Sequence, residues 1–152
     1  MKKIIIVLFV LAAACGAAWF FLLRPETVSQ DTLTKDFEAH RQAYVDIAYY
    51  LTQKGITTQI DDIPMSGKKF EGVAFEESDD YRAFMEGVYV LMREDHDAII
   101  SDGRSVEFVY HSTGGKLNKL YGSVIYNGRK EVIGKKTVTL APDGWHLYLA
   151  QG

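Results

Sequence analysis

Two histidines and two glutamates stand where a β-hairpin would gather them: Glu94, His96, Glu107 and His111. Asp102-Gly103, between the pairs, is a two-residue hairpin signal. With Ser101 facing Arg104, the ladder sets Glu94 opposite His111 and His96 opposite Val109. His96 and His111 are then diagonal neighbours on one face, roughly 7–8 Å apart at Cα. Imidazole nitrogens and carboxylates are ordinary zinc ligands, so His96, His111, Glu94 and Glu107 make the candidate metal site of this chain. The competing reading is a solvated sheet end with two unrelated histidines.

Other chemistry-bearing residues read as structural. Ser66 and Lys68 form a Ser-x-Lys pair, but they sit in a polar loop without an oxyanion-hole or partner motif. His111-Ser112-Thr113-Gly114-Gly115-Lys116 lacks the spacing of a phosphate-binding loop, and Leu117 follows the lysine where Ser or Thr is needed. Tyr110, Tyr121 and Tyr126 nearby make this region a candidate recognition surface. The single cysteine, Cys15, lies in an apolar run, so the rest of the chain has neither a disulfide nor a thiolate nucleophile. No catalytic residue and no cofactor are assigned.

These residues need elements to hold them. A helix is predicted from Asp31 to Lys54, because Leu33, Phe37, His40, Tyr44, Ile47 and Leu51 recur at helical steps and Gly55 stops it. His40 is the polar interruption of that stripe and reads as a partly buried histidine bonded to a neighbour. Residues 56–60 and 70–75 are strand candidates around a loop at 61–67. A second helix runs over 79–93, capped by Ser78, with Tyr81, Phe84, Met85, Val88, Leu91 and Met92 as its buried face. Gly87 within it marks close packing or a bend. Strands are expected near 97–101, 104–111, 119–126, 130–140 and 145–150, an antiparallel meander with turns at Asn127-Gly128 and Ala141-Pro142-Asp143-Gly144. Pairing Leu140 with Trp145 puts Val138, Leu140, Trp145, Leu147 and Leu149 on one core face. The fold class is α+β, two main helices packed on an antiparallel β-meander behind an N-terminal transmembrane helix.

The transmembrane helix is Ile4 to Leu23, twenty residues without a charge. As a helix it spans about 30 Å, the thickness of a bilayer core. Lys2 and Lys3 precede it, which keeps the N-terminus in the cytoplasm and everything after Pro25 outside. Two other readings put the domain outside as well. One is a lipoprotein acylated at Cys15 after Ala12-Ala13-Ala14; the other is a cleaved signal peptide. The retained span accounts best for Trp19, Phe20, Phe21, Leu22 and Leu23, which would be a poor start for a soluble chain. The organisation is therefore an anchor over 1–24, a connector over 25–30 and one extracytoplasmic domain over 31–152. Setting aside Lys2 and Lys3 leaves fifteen basic against twenty acidic residues, a net charge of −5, which argues against nucleic acid.

The plan resembles small, N-terminally anchored bacterial surface proteins: a span, a short connector, helices, and a terminal antiparallel sheet ending in Trp145-His146-Leu147-Tyr148. The order of helices and sheet also looks like cone-shaped ligand-pocket folds of the nuclear-transport-factor-2 type, a likeness of fold that carries no functional residue. The function expected is a non-catalytic, membrane-anchored accessory or binding module, contacting a protein or envelope component near the membrane. The alternative is a metal-dependent enzyme or a small-ligand-binding domain of the cone-shaped type. Oligomeric state is not legible in the sequence.

Overall fold

The computed structural model describes residues 28–63, 70–94, 96–110, 122–127 and 136–149. It is an α+β fold in which three helices pack on a six-stranded antiparallel sheet. Among the described residues no helix is long and apolar enough to cross a membrane, and Ile4–Leu23 lies outside them.

The expected first helix is two helices in line, α1 (Gln30–Ala39) and α2 (Arg41–Gln53). Ser29 caps α1 by accepting the Thr32 N–H. His40 interrupts the pair with φ −116° and ψ 20°, outside helical geometry. Hydrogen bonding continues past it, from the His40 N–H to the Asp36 carbonyl and from the Tyr44 N–H to the His40 carbonyl. The apolar stripe survives the break, with Leu33, Phe37, Tyr44, Ile47 and Leu51 all buried. The third helix, α3 (Asp79–Arg93), occupies the predicted span under its Ser78 cap. Gly87 marks close packing: a Cβ there would lie 3.0 Å from the Ala43 carbonyl oxygen and 3.1 Å from Ile47.

The strands are β1 (Thr57–Ile60), β2 (His96–Asp102), β3 (Val106–Tyr110), β4 (Gly122–Tyr126), β5 (Lys136–Ala141) and β6 (Trp145–Leu149). The strand expected over 70–75 is instead a turn. The Val73 N–H bonds to the Phe70 carbonyl, Gly72 adopts φ +77°, and Glu71 gives its carbonyl to the Thr58 hydroxyl.

Sheet order is β1-β2-β3-β4-β6-β5, so the meander is broken at its end. Asn127 takes the left-handed conformation of a turn, at φ 55°, yet β4 pairs with β6 and not with β5. Composition explains the exchange. β6 buries Trp145 and Leu147 on one face and Tyr148 on the other, which suits an inner strand. β5 carries Lys136, Thr137 and Thr139, the residues of an edge.

Two bulges reset the hairpin registers. In β5 the partner of Trp145 is Ala141, not Leu140, while Val138 stays opposite Leu147 as the sequence predicts. The β2–β3 loop is longer than two residues, because the Asp102 carboxylate accepts the N–H groups of Arg104 and Ser105. Ser101 therefore faces Val106, and a bulge at Asp97 sets His96 opposite Tyr110 while Ala98 faces Val109.

One sheet face forms the core with the helices, through Ile60, Ile99, Phe108, Val124, Trp145 and Leu147. Phe37, Tyr44, Phe108 and Trp145 make a ring cluster with centroids 4.7–6.0 Å apart. The reverse face is mixed. Gln59 and Ile100 are exposed there, while Ser123, Ile125 and Tyr148 are buried.

Candidate functional site

The bulge at Asp97 decides where the candidate ligands go. A side chain changes face with each one-residue shift, so the extra residue turns His96 onto the core face beside Tyr110. Glu107, one place before Phe108, points to the reverse face, where the Ser123 hydroxyl donates to its carboxylate at 2.9 Å. His96 and Glu107 are thus on opposite sides of the sheet. Glu94 is the C-cap of α3, on the same corner as His96. His111 lies outside the described residues, as do Ser66, Lys68 and the 112–116 loop.

Glu94 and His96 meet three other partners, from around the break between α1 and α2. Asp36, His40 and Tyr44 recur every four residues, which stacks their side chains on one helix face. The Tyr44 hydroxyl donates to Asp36 Oδ2 at 2.5 Å and stands 2.7 Å from His96 Nε2. The other ring nitrogen of His96, Nδ1, donates to the Leu91 carbonyl at 3.1 Å. His40 lies between two carboxylates, with Nδ1 3.2 Å from Asp36 Oδ1 and Nε2 3.2 Å from Glu94 Oε2.

The Leu91 carbonyl can only accept, so His96 Nδ1 carries a hydrogen. The Tyr44 hydroxyl donates to Asp36, and its oxygen stands between that carboxylate and His96 Nε2. The buried His96 ring is 3.5 Å from the Asp36 carboxylate. Burial, and then the Asp36 carboxylate beside it, push the Tyr44 hydroxyl far above the ordinary tyrosine range. Tyr44 therefore stays a phenol and serves as a bridge, not as a base or a nucleophile.

Accessibility grades across the cluster. The His96 side chain is fully buried, Asp36 is 9% exposed, His40 21% and Glu94 49%. The inner half is a closed hydrogen-bond network; the outer half opens to solvent. Asp36, His40 and Glu94 each offer a ligand atom, all within 4.8 Å of one another.

Sequence reasoning singled out Glu94, His96 and His40 but missed Asp36 and Tyr44. His40 is indeed a partly buried histidine bonded to its neighbours. The missed signal was the run Asp36, His40, Tyr44 at steps of four along the helix stripe.

No family model matches the chain, and neither does any curated protein or solved structure.

Proposed function

We propose that the protein is a membrane-anchored accessory module, held by residues 4–23 with its folded domain outside the membrane, contacting a protein or envelope component close to the bilayer. The observation that carries the reading is the shortness of the tether. Val28 already packs against the core beside Leu33, with both side chains over Gly122 of β4. Between Leu23 and Val28 stand only residues 24–27, which reach roughly 14 Å when fully extended. An uncharged run of twenty residues so near a folded domain confines that domain to the membrane surface.

The interior between helices and sheet, where the cone-shaped alternative expects a ligand pocket, is filled by Phe37, Tyr44, Phe108 and Trp145, which favours contact through the surface over a small-ligand pocket there. Protease added to intact spheroplasts is the test of placement: digestion of the domain is expected, and full protection would refute the proposal. Metabolic labelling with a fatty acid in wild type and Cys15→Ser separates a retained span from an acylated Cys15. Photo-cross-linking from Tyr89 or Val90, exposed on α3, is expected to capture an envelope component.

A further inference from the structure

We propose that a second copy of this chain docks on the outward face of α3, the two helices running antiparallel about a twofold axis at Met85. The inference rests on the reading of the domain as a contact module and names its partner.

The first argument is exposure. α3 buries Phe84, Gly87, Val88 and Leu91, which leaves Arg82, Glu86, Tyr89, Val90 and Arg93 on its outer side. Tyr89 and Val90 are 42% and 41% exposed, and Phe75, in the loop before the helix, is 61% exposed. Phe75 is held in that position. Its ring stands 5.4 Å from Tyr81, and the next residue, Glu76, is bonded to Lys54. Tyr81, Met85 and Tyr89 follow at steps of four and form one row along the helix. A row of this kind beside a fixed, protruding ring gains further burial only from a partner.

The second argument is charge, and it selects the occupant. Among the described residues Glu77, Glu86 and Arg93 make no ion pair, and Arg82 reaches only the exposed Asp79. An antiparallel pair centred on Met85 matches residues equally far before and after it. Tyr81 then faces Tyr89, and Glu77 faces Arg93, each twice by symmetry. Arg82 comes within two residues of Glu86, about 3 Å along the axis. Phe75 of one copy falls at the end of the helix where Tyr89, Val90 and Arg93 line a hollow in the other. A parallel pair in register would instead set Glu86 on Glu86 and Arg93 on Arg93, like charge against like. The face is complementary to itself in one direction only.

The third argument is confinement. One 15-residue helix and the loop before it make a small interface, with an expected Kd that is roughly micromolar. Copies tethered to one bilayer share a thin layer, which raises their effective concentration.

The test uses the full chain in detergent, followed by sedimentation velocity over about 1–100 μM. Wild type should show a reversible monomer–dimer equilibrium. Arg93→Glu should weaken it by about 10-fold or more, and adding Glu77→Arg should restore it. In a Cys15→Ser background, Met85→Cys should be joined to itself by a short bis-maleimide, while Tyr49→Cys on α2, 54% exposed in the parent chain, should not. A chain monomeric throughout, a double variant as weak as Arg93→Glu, or equal cross-linking at the two cysteines would each overturn the proposal. Circular dichroism checks that the single variant is folded. Photo-cross-links from Tyr89 to a different protein, with the chain monomeric, would overturn the second copy and leave the contact-module reading standing. Protection of the domain from protease would remove that reading without touching a dimer measured in detergent.

Discussion

His96 stands opposite Tyr110, although Ala98, two residues further along the same strand, stands opposite Val109. Asp97 is the additional residue, and it alone brings an imidazole from β2 to the tyrosine of α2. A straight ladder would leave Tyr44 and Asp36 buried without that partner.

The coupling of Tyr44 and His96 is measurable. Hydrogen bonds involving charged groups contribute roughly 1.5–3 kcal/mol, and an abandoned buried partner raises the cost of breaking one. Tyr44→Phe should therefore destabilise the fold by about 2–3 kcal/mol in denaturant unfolding, while sparing the contacts of its ring with Phe108 and Trp145. His96→Ala should cost at least as much. The double variant should cost less than the sum by about 1 kcal/mol or more, and strict additivity would show that the two groups act independently.

Tyr50 is the opposite case. Its hydroxyl is buried and has no hydrogen-bond partner in geometric range among the described residues, and the Glu76 carboxylate nearby accepts from Lys54 at 2.6 and 2.8 Å. Burial, and then the charge of Glu76, push its pKa up to about 12. Tyr50→Phe removes an unpaired polar atom and should be neutral or stabilising at pH 7. The pH dependence has a definite sign. The unfolded phenol ionises near pH 10 and the folded one near 12, so wild type loses stability as pH rises through that window. The margin of Tyr50→Phe over wild type should widen from pH 10 to 12; a constant margin would place the hydroxyl in contact with solvent.

Helix propensity and packing give opposite answers at Gly87. Alanine is favoured over glycine by up to ~1 kcal/mol in a helix interior. At this position the added methyl meets backbone oxygen of Ala43 at 3.0 Å as well as Ile47, and the backbone cannot yield as a side chain can. Overpacking of this kind costs about 1–3 kcal/mol, so Gly87→Ala should lower the melting temperature. A rise would mean that α2 and α3 separate easily.

Much of this arrangement was legible in the sequence, and most of its failures share one cause. The α3 span, its Ser78 cap and the apolar stripe from Leu33 to Leu51 arise from local periodicity, and they are found. Most of the missed features are single-residue departures from periodicity. His40 breaks a helix whose stripe continues; Asp97 and Leu140 are absorbed in bulges; Gly72 turns a segment that reads as a strand. None of these changes the composition of its segment, yet each redirects the side chains next to it. The candidate metal ligands were scattered for that reason: a ladder drawn without the Asp97 bulge puts His96 and Glu107 on one face. The β4–β6 pairing was missed because it depends on comparing two strands, and only their relative burial favours Trp145-His146-Leu147-Tyr148 for the inner place.

The tether gives the last prediction. Val28 and Leu33 lie over Gly122, so only four residues separate Leu23 from the start of the packed domain at Val28. Ten Gly/Ser residues inserted between Arg24 and Pro25 add a flexible coil of roughly 16–19 Å root-mean-square length without touching the core. The melting temperature of the domain should be unchanged, because the insertion precedes Val28. On the proposed anchoring by residues 4–23, cross-linking to a membrane-proximal partner should fall, because the longer tether would free the domain from the bilayer surface. Gly122→Val is the complementary variant, as its side chain would collide with Val28 and Leu33 at the 2.8–2.9 Å already marked by a Cβ. It should destabilise the start of α1 by about 1–3 kcal/mol and speed hydrogen exchange there. Cross-linking that survives the Gly/Ser insertion at full yield would show that the partner is not confined to the membrane surface.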